Sequence, residues 1–218
     1  MRHRIAQGVG VLLFLISSTP VCMAQSERQV WVSFTAKVVQ NYETKVSPTE
    51  ATRVELRGVF ARNGNGSEYS RLTQTKDVNF IPVGPTVDFA DVYDRQKRSA
   101  YIIDFQHKTI QKGAFIRPGV TTEPITRLQF DAARKGETPL GRQTISGVDC
   151  EGFRVPAPKF KKQDDETWYA PSLNFVVVRS THHSEKRQLV TTQFEDIRVG
   201  VEPDPAIFRL PDGFKVVQ

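Results

Sequence analysis

Residues 53–66 read Arg53-Val54-Glu55-Leu56-Arg57-Gly58-Val59-Phe60-Ala61-Arg62-Asn63-Gly64-Asn65-Gly66. Val54, Leu56, Gly58 and Phe60 alternate with Arg53, Glu55 and Arg57, the period of two that marks a strand with one buried face. The run stops at two Asn-Gly pairs, which supply the positive φ angles that tight hairpin turns require. A hairpin is therefore predicted, with its return strand running from about Glu68 to Val78.

Working outward, Val30, Val32, Phe34, Ala36 and Val38 alternate with Trp31, Ser33, Thr35 and Lys37, a long strand with a mostly polar outer face. Short β-like runs follow at Val87 to Tyr93, Ala100 to Phe105 and Thr109 to Lys112, separated by turns and arranged as a meander. Thr122 to Lys135 reads as a helix: Thr122 caps it, Pro124 suits its first turn, Ile125, Leu128 and Ala132 share a side, and Gly136 ends it. Strands resume at Gln143 to Val148, Glu151 to Val155, Glu166 to Tyr169, Leu173 to Ser180 and Gln188 to Val199. Pro203 to Phe208 supplies one further helical turn. The expected fold is mainly β: a single curved antiparallel sheet or incomplete β-barrel of about ten or eleven strands with one or two short helices. No composition shift or internal repeat divides the chain.

Arg2 and Arg4 precede the apolar stretch Val9 to Ile16, then Pro20 and the small residue Ala24. These are the three parts of a secretory signal peptide, with cleavage expected after Ala24. Eight apolar residues fall short of the roughly 20 that span a bilayer. Residues 25–218 are then a single β domain, exported to the periplasm or secreted. That segment has 28 basic and 24 acidic residues, a net charge of about +4, and one cysteine, Cys150. Stability must come from the core and the β ladder, since no intramolecular disulfide can form. The charge is scattered, with small clusters at Arg95 to Arg98 and Lys159 to Lys162, so no nucleic-acid partner is expected.

Motifs that carry chemistry are scarce, and no enzyme activity, cofactor or metal is expected. His182 and His183 are neighbours beside a predicted turn and point to opposite faces of a strand, which suits them poorly to one metal. Asp149 and Glu151 flank Cys150, an arrangement that disfavours a thiolate, so Cys150 reads as a small core residue. Asp164-Asp165-Glu166 is contiguous, whereas catalytic carboxyls face each other across a cleft.

Two stretches carry a resemblance. They are Glu166-Thr167-Trp168-Tyr169-Ala170-Pro171-Ser172-Leu173 with its following apolar run, and Glu202-Pro203-Asp204-Pro205-Ala206-Ile207-Phe208-Arg209-Leu210-Pro211. They resemble uncharacterised secreted bacterial proteins of the Acidobacteria type and, more remotely, the LolA/LolB-like periplasmic lipoprotein-carrier superfamily. The strand pair Leu140 to Gly152 and the hairpin Asp94 to Lys112 are similar to that superfamily as well. The resemblance implies an incomplete β-barrel cupping a hydrophobic cavity under a helical lid, and a ligand that is a lipid, acyl chain or lipoprotein. It also leaves open a second reading, an envelope protein–protein interaction or stress-sensing module with a filled core. Inward candidates for a ligand-binding face are Val30, Val32, Phe34, Leu56, Phe60, Tyr101, Ile103, Trp168, Phe175 and Val177. With 20 aromatic residues after residue 24 and so little helix, such a face is rich in apolar surface.

Overall fold

A computed structural model describes residues 30–47, 49–78, 87–113, 124–156, 164–183 and 188–217. The expected signal peptide, residues 1–24, and the expected helix cap Thr122 lie outside them. Among the described residues the predicted hairpin forms from β1's neighbours outward: β1 (Phe34–Lys45), β2 (Ala51–Arg62) and β3 (Glu68–Val78) pair antiparallel in chain order. The meander continues through β4 (Asp88–Asp94), β5 (Ser99–Asp104) and β6 (Thr109–Gly113). After helix α1 (Arg127–Ala133) a second meander returns: β7 (Thr138–Ile145), β8 (Val148–Val155), β9 (Asp165–Ala170), β10 (Val176–His183) and β11 (Gln188–Val199). β11 closes on the free side of β1, and a short β12 (Lys215–Val217) pairs parallel with β6. The result is one open curved sheet in the order β12-β6-β5-β4-β3-β2-β1-β11-β10-β9-β8-β7.

The fold class matches expectation, and the differences have local causes. The first strand begins at Phe34 rather than Val30: Val32 donates its N–H to the side chain of Asn174 at 2.9 Å and Val30 is 74% exposed, so this segment is tied by a side chain and not by a ladder. The hairpin loop is longer than a two-residue turn. Asn63 and Ser67 pair their backbones, Gly66 alone takes a positive φ (+85°), and the side-chain oxygen of Asn63 accepts the N–H groups of Asn65 and Ser67. α1 starts at Thr126, where Thr126 and Gln129 each accept the other's backbone N–H in a capping box. Its buried residue is Phe130, and Leu128, expected inward, is 80% exposed. Seven residues bury a point and not a stripe. A Ser146-Gly147 turn with both φ positive ends β7 before Val148, as a tight hairpin demands.

Register assigns the faces. Phe34, Ala36, Val38, Gln40 and Tyr42 of β1 lie beside Phe60, Gly58, Leu56 and Val54 of β2, and beside Phe194, Thr192 and Val190 of β11. Phe34, Phe60 and Phe194 meet there, with ring centroids 5.3, 5.0 and 6.3 Å apart. Each fully buried Phe contributes roughly 1.5–3 kcal/mol of transfer free energy. On β3 to β6 the opposite face is buried as well: Tyr69, Ala90, Val92, Ile103 and Ile110 form a second cluster under Ile207, Phe208, Leu210 and Phe214. The chain after β11 thus straps the convex side. Gly200 donates to the Ser33 carbonyl at 2.8 Å, Glu202 accepts the N–H of Gly64, and Phe214 meets Phe105 edge-on at 5.7 Å.

The β2–β3 pairing needs Gly58. Between Val38 and Leu72 in register, its backbone comes so close to β3 that a Cβ would stand 1.7 Å from the Arg71 carbonyl oxygen. Gly58→Ala is therefore expected to lower the unfolding free energy by about 3 kcal/mol through overpacking. At exposed Gly64 an added Cβ would meet only Glu202, at 3.5 Å, and Gly64→Ala is expected to cost under about 1 kcal/mol. Urea unfolding followed by far-UV circular dichroism compares the two, and equal costs would remove the assigned role of Gly58.

Candidate functional site: a cavity under helix α1

The concave face and α1 bound a half-open cavity of about 870 Å³. Val38, Tyr42, Phe60, Leu72, Phe89 and Phe194 of the sheet form its floor, and Phe130, Tyr169, Phe175 and Val176 form the wall beneath the helix. That is the size and lining of a site for a small apolar ligand. Phe130 anchors the wall: it stacks on Phe175 at 4.1 Å and meets Tyr169 and Phe153 edge-on at 5.1 and 5.6 Å. Phe175 and its neighbour Asn174 both have positive φ, 58° and 56°. A bulky residue held in that region is strained by about 1–3 kcal/mol, and here the strain presents its ring to Phe130.

Polar groups enter at defined places. Thr167, Ser180, Thr192 and Gln40 stand in register across β9, β10, β11 and β1, a neutral row on the cavity floor in which Gln40 donates to Thr192 at 3.2 Å. At one end Arg62, only 5% exposed, donates to Glu68 at 2.9 and 2.5 Å and to the Leu173 carbonyl at 3.1 Å. Its guanidinium lies 4.9 Å from the centre of the Trp31 ring, and Arg95 lies 5.2 Å from the same indole. The indole N–H of Trp31 is buried without a partner among the described residues. Arg134, on the turn after α1, donates to the Tyr169 hydroxyl at 2.7 Å and to Glu137 at 2.9 Å. Burial pushes the phenols of Tyr42 and Tyr169 above their ordinary value, so both present neutral hydroxyls at neutral pH.

Of the ten inward candidates, Phe60, Phe175 and Val177 line this cavity. Phe34 is stacked behind Phe60, Leu56 lines a neighbouring cavity, Val32 packs at the edge of the core and Val30 is exposed. Tyr101 and Ile103 are on the other face. They alternate with Ile102, which is in register with Asp91 of the cavity wall, and they belong to the cluster under the C-terminal strap. Trp168 also points away, since Thr167 and Tyr169 on either side of it line the cavity; its ring carries Arg179 at 4.9 Å. Sequence reasoning missed Arg62 and Glu68. Their signal was opposite charge on either side of the predicted hairpin turn, where in-register partners face each other.

The remaining motifs have structural partners. His182 and His183 end β10. Asp165 holds both, His182 Nδ1 at 2.7 Å and the His183 N–H at 2.8 Å, and Glu166 pairs with Arg154 at 3.0 Å. Among the described residues no group of three His, Cys, Asp or Glu side chains could hold a metal ion. Cys150 is buried in the main core, and burial raises its thiol pKa. Among the described residues no helix is long and apolar enough to cross a membrane.

No family model and no curated protein matches the chain. Solved structures to which it is similar include the Pseudomonas aeruginosa MucA/MucB complex, at 16% identity and a TM-score of 0.45 over 85% of this chain and 58% of that one. Another is an uncharacterised conserved protein from Thermus thermophilus, at 11% identity and a TM-score of 0.48 over 85% and 89%. A third is a LolA superfamily protein from Nitrosomonas europaea, at 12% identity and a TM-score of 0.36 over 84% and 92%. The chain thus spans less than two thirds of the MucB length. The chemistry of the cavity rests on its own side chains.

Arg62 and Glu68 set a test of the site. Arg62→Met leaves the Glu68 carboxylate largely buried without its cation and is expected to cost about 3–5 kcal/mol, whereas Arg62→Met with Glu68→Leu recovers most of that loss. A double-mutant cycle by urea unfolding measures the coupling; a double variant as unstable as the sum of the two single variants refutes it.

Proposed function

We propose that this is an exported, non-enzymatic protein that binds a hydrophobic ligand, a lipid or acyl group, in the concave face of its curved sheet. The carrying observation is the cavity of about 870 Å³ walled by Phe60, Phe89, Phe130, Phe175 and Phe194. A concave, mainly apolar cavity with a few placed polar groups is the usual form of a small-molecule site, and that lining supports an occupant here. In this reading residues 1–24 are a signal peptide cleaved after Ala24. Residues 25–218 work as a single β domain in the periplasm or outside the cell.

The second reading is an envelope interaction module that pairs through a sheet edge, and the edges give it less support. Free strand edges invite another chain unless they are blunted. β7 is blunted by Pro139, by the irregularity between Pro139 and Gly141, and by the exposed Arg142; the β6 edge is covered by β12.

Native mass spectrometry of residues 25–218 purified from a bacterial periplasm, followed by lipid extraction, tests the proposal. A co-purifying acyl species is expected. Thr192→Trp places an indole over the cavity floor and is expected to reduce bound lipid at least about tenfold with the circular dichroism spectrum unchanged. A clean apo mass, no uptake of a fluorescent fatty acid, and a stoichiometric protein partner captured from an envelope extract would transfer the function to the second reading.

A further inference from the structure

The concave face holds a second cavity, of about 340 Å³, beyond the first. Thr44, Thr52, Val54, Leu56, Gln74, Val87 and Gln188 line it, and it shares two residues with the larger one, Tyr42 of β1 and Phe89 of β4. These two rings stand where the lobes meet. The lobes differ in charge. Arg62, Glu68, Asp91 and Arg134 line the larger lobe, whereas among the described residues the lining of the smaller is hydrocarbon, hydroxyl, phenol and amide. Desolvating the end of an apolar chain costs least where the lining carries no charge. A polar head group is placed at the Arg62 end, where the polar and charged side chains gather, and the tail points along β1 toward Tyr42.

We propose that a single-chain amphiphile lies lengthwise in the larger lobe and that Tyr42 and Phe89 form a partition that sets the longest chain it accommodates. This rests on the reading of the concave face as a ligand cavity and adds a length limit to it. Up to the partition, each further methylene leaves water for hydrocarbon and gains about fourfold in affinity, the ratio corresponding to ~0.8 kcal/mol. Beyond it, added methylenes stay in water or displace a ring and gain nothing. Removing a ring joins the lobes and gives the tail the space between Leu56 and Val87.

The test is displacement of a fluorescent fatty acid by saturated fatty acids from decanoic to eicosanoic, on residues 25–218. For the unmodified protein, affinity is expected to rise with length and then level off. Tyr42→Ala moves the break to longer chains, Tyr42→Phe leaves it in place, and Thr52→Trp, which fills the smaller lobe, returns Tyr42→Ala to the original break. Circular dichroism and a thermal melt confirm that each variant is folded, and Phe89→Ala repeats the measurement from the other side of the partition if Tyr42→Ala does not fold. Identical length profiles in the unmodified protein and the ring-removed variants overturn the partition while leaving the cavity standing. No binding by the unmodified protein at any length overturns the ligand cavity, and the partition with it.

Discussion

Everything in this fold depends on β1 having a partner on each side. Its first neighbour is local, reached through the turn before β2. Its second, β11, is brought from the far end of the chain; Gln40 and Thr192, in register across that pair, are 152 residues apart in sequence. Each meander alone is an open ribbon with one apolar face in water. Joined at β1 and β11, the two become halves of one concave surface, and the Phe34, Phe60 and Phe194 rings meet across the seam. Closing so long a loop carries a large entropic cost, and it is recovered only when those rings bury together.

The strands were legible because alternation is a local signal. Val54, Leu56 and Phe60 had to share a face whatever lay beyond them, and the Asn-Gly pairs fixed where their strand would stop. What alternation does not carry is the identity of the face. Tyr101 and Ile103 alternate as cleanly as Leu56 and Phe60, yet they pack beneath residues 207–214, because the chain returns over the convex side after β11. Trp168 illustrates the same gap by parity: Thr167 and Tyr169 face the cavity, so it does not. Along β10 the register shifts between Val177 and Arg179, which displaces the alternation by one and puts Val178 in the core.

Helix α1 was legible as a helix and illegible as a lid component. The sequence suggested an apolar stripe of Ile125, Leu128 and Ala132, but the structure holds the helix through Phe130 and through charges: Arg127 with Glu151 at 2.8 Å and, just past its end, Arg134 with Glu137. Those partners lie on other strands or in the following turn, and no local pattern announces them. The wall of the cavity is therefore assembled from long-range contacts, while its floor is assembled from period-two strands. Alternation anticipated Phe60 and Phe175, whereas the buried pair Arg62–Glu68, six residues apart across the hairpin turn, is announced by charge and not by alternation.

The two tryptophans fall on opposite sides of one sheet. Trp31 lines the cavity with the guanidinium groups of Arg62 and Arg95 close to its ring, and Trp168 faces away from it, against Arg179. The molecule consequently carries a pair of intrinsic fluorophores with separate duties. A ligand entering the concave side, as proposed, would quench or shift the emission of one. The other would report on the sheet itself, an internal reference against which such a change could be read in the unlabelled protein.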